Sequence, residues 1–305
     1  MPQELSSARN LIFPALVTPL TADGKVDRAS AERLIDHLYT CGVGGLYVTG
    51  STGEGIYLDV ASRRTMVELA VAMSRGRGQI IAHVEAIEGS LAFDLAVHAA
   101  QVGADAVASI PPFVGGYSWE EIHGYYSRLC QVSPVPVIGY YIPSLSGQHI
   151  SIDRLAELTE LKNFAGFKVT DVNLYSIDRL LGRLRPGQVI FNGPDELLAL
   201  GMALGAQGGI GTTYNIMPKL ILEIADACRA GKLAQAVVLQ KRANDVIEAL
   251  LNYQGLAATK QVLVWQGVIA DATCAAPRAS LNATQQADLL ARMLKTAIAD
   301  TLTHR

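Results

Sequence analysis

Lys168 is the one charged residue in Phe164-Ala165-Gly166-Phe167-Lys168-Val169-Thr170, a short apolar run of strand length. Three positions suit a lysine there: a strand end facing a cavity, a pairing with a buried acid, or an edge strand from which it snorkels to water. In the first, desolvation depresses the amine's pKa, and the neutral amine is a nucleophile toward carbonyl carbon. That is the chemistry of a Schiff-base lysine.

Three further polar clusters follow β-prone runs. Thr49-Gly50-Ser51-Thr52-Gly53-Glu54-Gly55 sets three glycines around a Ser-Thr pair. Its N–H groups and hydroxyls can converge on a phosphate or carboxylate, or the glycines can serve a plain turn that needs positive φ. No Gly-Lys-Ser/Thr follows, so this is not a P-loop. In Tyr140-Tyr141-Ile142-Pro143 the adjacent tyrosines point to opposite faces of a strand, and spacing assigns Tyr140 inward; a tyrosine with its hydroxyl in water fits equally. Asn192-Gly193-Pro194-Asp195-Glu196 delivers two acids that either hydrogen-bond a polyol or complement a helix dipole. His83 and Glu85 share one face of another run. The other histidines are scattered, so the pair reads as structural rather than as a metal site.

The elements that must position these groups alternate. Strand-like runs at 13–18, 45–49, 79–85, 104–110, 136–141, 164–170, 188–192 and 207–211 are separated by helical patterns at 28–39, 60–74, 91–102, 119–131, 152–160, 174–184 and 195–204, and 217–230 follows the last. Eight strand–helix repeats predict a closed (β/α)8 TIM barrel spanning 1–232. A doubly wound sheet would show a Gly-rich dinucleotide fingerprint after an early strand, and none is present. Residues 233–305 predict a C-terminal three-helix extension, at 234–252, 256–270 and 283–302, packed on the barrel and available for subunit contacts.

A chain of 305 residues, half of them hydrophobic, can bury one large core. Its net charge of −3 and lack of basic runs exclude nucleic acid or an anionic membrane as the main partner. Cys41, Cys130, Cys228 and Cys274 form no C-x-x-C, so they read as reduced thiols of a cytoplasmic protein. Neither a targeting segment nor a membrane span is expected.

Gly50-Ser51-Thr52-Gly53-Glu54, Tyr140-x-Ile142-Pro143, Gly166-x-Lys168-x-Thr170 and Gly209-Ile210-Gly211-Thr212-Thr213-Tyr214-Asn215 together resemble the pyruvate-dependent class I aldolases typified by N-acetylneuraminate lyase and dihydrodipicolinate synthase. The resemblance runs from about residue 13 through the eighth helix, and more weakly beyond. It implies that Lys168 forms a protonated imine with a 2-keto acid and that Tyr140 relays protons. Ser51 and Thr52 would hold the pyruvyl carboxylate, Thr170 would sit near the reacting hydroxyl, and Gly193, Asp195, Glu196 and Thr212 would bind sugar hydroxyls. Neither metal nor organic cofactor would be needed, and a homotetramer is implied.

Within the family, Leu145 stands where dihydrodipicolinate synthases place a carboxylate-binding arginine, which counts against that activity, while Pro143-Ser144-Leu145-Ser146-Gly147, Gly193-Pro194-Asp195-Glu196 and Thr213-Tyr214-Asn215-Ile216-Met217 resemble the neuraminate lyase branch. A 2-keto-3-deoxy sugar acid aldolase or a dihydrodipicolinate synthase-like enzyme of the same family, and a non-catalytic sugar-acid-binding barrel, are the alternatives. Tyr141 replaces the more usual asparagine or histidine, and Pro112-Phe113-Val114-Gly115-Gly116 lacks the tyrosine with which many relatives complete the relay. Tyr117 and Tyr47 are the candidates to replace it.

Overall fold

The computed structural model describes residues 10–112 and 116–303. Eight parallel strands form one sheet in the order β1-β8-β7-β6-β5-β4-β3-β2. They are β1 (Ile12–Pro14), β2 (Gly45–Val48), β3 (Gln79–His83), β4 (Ala106–Ser109), β5 (Val137–Tyr141), β6 (Phe164–Val169), β7 (Val189–Asn192) and β8 (Gly208–Gly211). A parallel bridge from Ala15 to Tyr47 closes the ring, and Leu16 N–H donates to Tyr47 O at 2.8 Å. The helices are α1 (Arg28–Cys41), α2 (Val60–Ser74), α3 (Gly89–Val102), α4 (Trp119–Val132), the single turn α5 (Pro143–Ser146), α6 (Ile152–Leu158), α7 (Leu174–Leu181), α8 (Leu198–Leu204) and α9 (Pro218–Arg229). The extension adds α10 (Leu233–Leu251), α11 (Gly255–Trp265) and α12 (Ala283–Met293). No described helix is long and apolar enough to cross a membrane.

Several boundaries differ from the sequence expectation. The first strand covers Ile12–Pro14 rather than 13–18, with Ala15 and Leu16 adding the closing contacts to β2. The helix expected at 195–204 opens as a 3-10 turn over Asp195–Leu197, and those expected at 256–270 and 283–302 end at Trp265 and Met293.

Strand alternation sorts the core into two layers. Phe13, Tyr47, Ile81, Ala106, Ala108, Ile138, Phe191 and Ile210 fill the barrel, while their neighbours pack outward against the helices. On β6 strict alternation would fail the site. Ala165 packs on the interior cluster and Phe164 on the outer one, so continued alternation would bring Phe167 in and turn Lys168 out. Instead Val137 pairs with Phe164 and Ile138 with Gly166, which makes Ala165 an extra residue, a β-bulge. Gly166 takes φ +124°, and a Cβ there would fall 1.9 Å from Val189 O, so glycine is required. The bulge sends Phe167 outward and Lys168 inward.

Candidate active site

Lys168 is buried at the carboxyl end of β6, beside Tyr140 in register on β5. Its Nζ stands 4.1 Å from the centroid of the Tyr140 ring and 4.8 Å from that of Tyr47. The π faces favour the cation, but no hydrogen bond or ion pair engages Nζ among the described residues. The amine is thus held between two aromatic rings with no anion beside it among the described residues.

Tyr140 Oη accepts from Thr170 Oγ1 at 3.3 Å. Thr170 lines a cavity of about 480 Å³ at the barrel mouth. Ser51, Thr52, Gly193, Asp195, Glu196 and Thr212 line the same cavity, so all seven residues expected on the substrate side are brought together. Lys168 and Tyr140 are not in its wall; they form the layer beneath Thr170.

The turn after β2 contains two strained residues, since Thr49 and Glu54 both sit at φ 60°. Its glycines are not the positive-φ positions: a Cβ on Gly55 would lie 1.9 Å from Thr49 O, and one on Gly50 2.5 Å from Tyr47 Cε1. They are needed for close approach instead. The Ser51 and Thr52 N–H groups carry no internal hydrogen bond among the described residues, which leaves them for an anion. Thr52 and Thr212 share a hydroxyl–hydroxyl bond of 2.6 Å across the mouth.

Gly193 and Asp195 act partly through space and support. A Cβ on Gly193 would come 1.9 Å from Thr170 Oγ1, so glycine here lets that hydroxyl reach Tyr140. Asp195 Oδ2 accepts from Thr213 N at 2.7 Å and Thr213 Oγ1 at 2.6 Å. Burial outweighs those bonds and pushes the Asp195 carboxyl up from 3.8 to about 6. An acid whose pKa is raised on folding stabilises the protein below its unfolded pKa and loses that contribution as pH rises through the folded one. Stability is therefore expected to fall between about pH 4 and pH 7, by up to roughly 3 kcal/mol. Asp195→Asn, which keeps the acceptor for Thr213, should flatten this slope in urea melts across that range; an unchanged slope would exclude Asp195 as its source.

Beneath the mouth, Tyr47 Oη lies 2.7 Å from His83 Nδ1, and His83 Nε2 lies 2.8 Å from Glu85 Oε2. The expected His83–Glu85 pair is thus extended by a tyrosine. Tyr47, and not the partly exposed Tyr117, stands against Tyr140, with ring centroids 6.3 Å apart in a T-shaped contact. Residues 113–115 of the run that lacks the family tyrosine lie outside the described residues. Burial pulls the His83 imidazole below 6.5 against the opposing effect of Glu85, and burial drives the Tyr47 phenol well above 10.

The sequence reading missed the role of the extension. Ile247, Leu250 and Leu251 from α10 and Gly255, Leu256 and Thr259 from α11 form one wall of the cavity. Gln240 on α10 donates to Asp195 O at 3.0 Å, and Lys260 on α11 pairs with Glu54. Amphipathic spacing places an apolar face on each helix but does not say which surface covers it. Ser144 also lines the cavity, as does Asp171, which carried no sequence signal. Among the described lining residues there are three acids and no lysine, arginine or histidine. No described group of three or more His, Cys, Asp or Glu residues is arranged to hold a metal ion.

Fold and site together define a (β/α)8 barrel with a buried strand lysine, without an ion pair among the described residues, below a hydroxyl-lined mouth. The chain belongs to the dihydrodipicolinate synthetase family, whose profile matches residues 8–297. It is 34% identical over 294 residues to the N-acetylneuraminate lyase of Rhizobium meliloti, covering 96% of each chain. Among solved structures it resembles the Ruminococcus gnavus sialic acid aldolase (28% identity, 95% of this chain and 97% of that one, TM-score 0.90), of which a catalytic lysine mutant has also been solved. It also resembles CdNal of Clostridium difficile in complex with mannosamine (29% identity, 93% and 98%, TM-score 0.89).

Proposed function

We propose that this protein is a carbon–carbon lyase, a pyruvate-dependent class I aldolase that reversibly cleaves N-acetylneuraminate to N-acetylmannosamine and pyruvate. The observation that carries the reading is Lys168: buried, turned inward by a bulge, free of any ion pair among the described residues, and set under a mouth lined with hydroxyls and acids. The names of the relatives agree with it.

In this reading the Lys168 amine adds to the 2-keto carbon, and loss of water gives an iminium. Tyr140 gives its proton to that departing water and, now a phenolate, takes the proton of the C4 hydroxyl as the C3–C4 bond breaks, while the electron pair is drawn onto the iminium nitrogen. The resulting enamine is protonated at C3, and water releases pyruvate and returns the amine. Ser51 and Thr52 hold the carboxylate, Thr170 orients the reacting hydroxyl, and Gly193, Asp195, Glu196 and Thr212 shape the sugar side. The cation-free wall disfavours a second carboxylate such as a dihydrodipicolinate synthase acceptor would bring, and its apolar side suits an N-acetyl methyl. The barrel (1–232) and the extension (233–305) act as one unit, assembled as a homotetramer in the cytoplasm.

Borohydride reduction with pyruvate, followed by peptide mass spectrometry, tests the mechanism. A pyruvate-sized adduct on Lys168, with pyruvate released from N-acetylneuraminate, is the expected result. Release only from 2-keto-3-deoxy sugar acids would replace the acceptor. Absence of any adduct in folded protein would overturn the aldolase reading in favour of a binding protein.

A further inference from the structure

The barrel interior is apolar up to its last layer, where a phenol, an imidazole and a carboxylate are joined in a line. Small residues make the room: Ala106 and Ala108 on β4 leave the space beside β3 that the Tyr47 and His83 rings occupy. All three polar side chains are buried, with Tyr47 1%, His83 3% and Glu85 7% exposed. Burying three polar groups is unfavourable unless each is satisfied, and here each satisfies the next.

A carboxylate only accepts, so His83 Nε2–H donates to Glu85 and Nδ1 is left to accept from the Tyr47 hydroxyl. That direction matters chemically. With its own proton turned toward His83, the Tyr47 oxygen keeps its lone pairs for another donor. Among the described residues the charged groups around His83 are Glu85, Arg63, whose Nη2 donates to His83 O at 3.1 Å, and Lys168. The Tyr140 ring also faces it, with centroids 5.9 Å apart. Lys168 Nζ lies over the Tyr47 ring, and Tyr140 is already engaged with Thr170 on the substrate side.

We propose that Glu85, His83 and Tyr47 form a proton relay for Lys168, additional to Tyr140. Lys168 attacks as the free amine, so its ammonium must first lose a proton. Nζ lies over the ring face without a hydrogen bond to the hydroxyl, so the lysine side chain first swings to the Tyr47 oxygen, which takes that proton while its own passes to His83 Nδ1, giving an amine and an imidazolium whose Nε2–H faces the Glu85 carboxylate. One proton moves, nothing is oxidised or reduced, and the proton returns when the imine is hydrolysed. Tyr47 is the group that acts on the lysine; His83 and Glu85 act through it as positioning residues. The inference rests on the aldolase reading of Lys168.

The test is a double-mutant cycle on the rate at which pyruvate is trapped on Lys168 by borohydride in timed quenches. Tyr47→Phe keeps the ring under Nζ and removes only the hydroxyl, and is expected to slow trapping by about 100-fold. Glu85→Gln should slow it by about 10-fold, and the double variant should match Tyr47→Phe within about twofold, because Glu85 has no route to the amine except through Tyr47. A merely structural Glu85 would give losses that multiply. If Glu85→Gln does not melt cooperatively, His83→Gln takes its place in the cycle. Multiplying losses, or a Tyr47→Phe rate equal to the parent's, overturns the relay alone. A parent protein that forms no adduct overturns the aldolase reading and the relay with it.

Discussion

Replacing Lys168 with Met is expected to abolish cleavage while leaving the protein at least as stable as the parent. No other described residue can supply the amine at this position: Lys260 is fully buried in an ion pair of its own, and no lysine lines the cavity. Pyruvate release from N-acetylneuraminate should fall by at least about 10⁴-fold, to the level of reaction without a covalent intermediate, and the borohydride adduct should vanish. Stability should move the other way. An ammonium buried without an anion is unfavourable, and the two aromatic faces offset only part of its desolvation. Methionine fills nearly the same volume with no charge, so urea unfolding should show a change within about 1 kcal/mol of zero or on the stabilising side. Residual cleavage above a hundredth of the parent's, or a loss of stability beyond about 2 kcal/mol, would mean that Lys168 supports the fold rather than the chemistry.

The barrel and most of the mouth were legible in the sequence because they depend on local signals. Strand and helix periods alternate eight times, and the polar clusters sit where strands end, which in this fold is where loops converge. What escaped depended on distance or on exceptions to periodicity. The inward aim of Lys168 rests on one bulge: alternation read from Ala165 gives the opposite face, and only the backbone of Gly166 reverses it. The glycines after β2 suggested positive φ, whereas the fold puts the strain on Thr49 and Glu54 and keeps the glycines for space. His83 and Glu85 announced each other by spacing, but Tyr47, 36 residues away, joins them only when β2 and β3 lie side by side. The extension was the largest omission, since nothing local in α10 or α11 says that their apolar faces wall a cavity.

Replacing Lys260 with Met should do the reverse of the Lys168 change, keeping the chemistry and undermining the fold. Lys260 on α11 is fully buried; its Nζ donates to Glu54 and, at 2.7 Å, to Thr273 O, while the other Glu54 oxygen accepts from Ala275 N at 2.6 Å. Glu54 ends the strained turn that carries Ser51 and Thr52, so this pair fastens that turn to the extension. Removing the cation leaves a carboxylate buried with a single N–H donor, a loss of about 3–5 kcal/mol in urea unfolding. Because the turn is then less firmly held, KM for the keto acid should rise several-fold, yet saturating pyruvate should still trap the imine on Lys168. Adding Glu54→Gln should restore much of the stability, since the unpaired charge is gone, without restoring KM, because neither replacement ties the turn to α11. A single variant that loses less than about 1 kcal/mol would show that the pair is dispensable and that the loop is held by Gly55 and the strained Thr49 alone. The two buried lysines thus differ in one physical respect: Lys260 is paired with the Glu54 carboxylate and ties the turn to α11, and Lys168 has no such partner among the described residues.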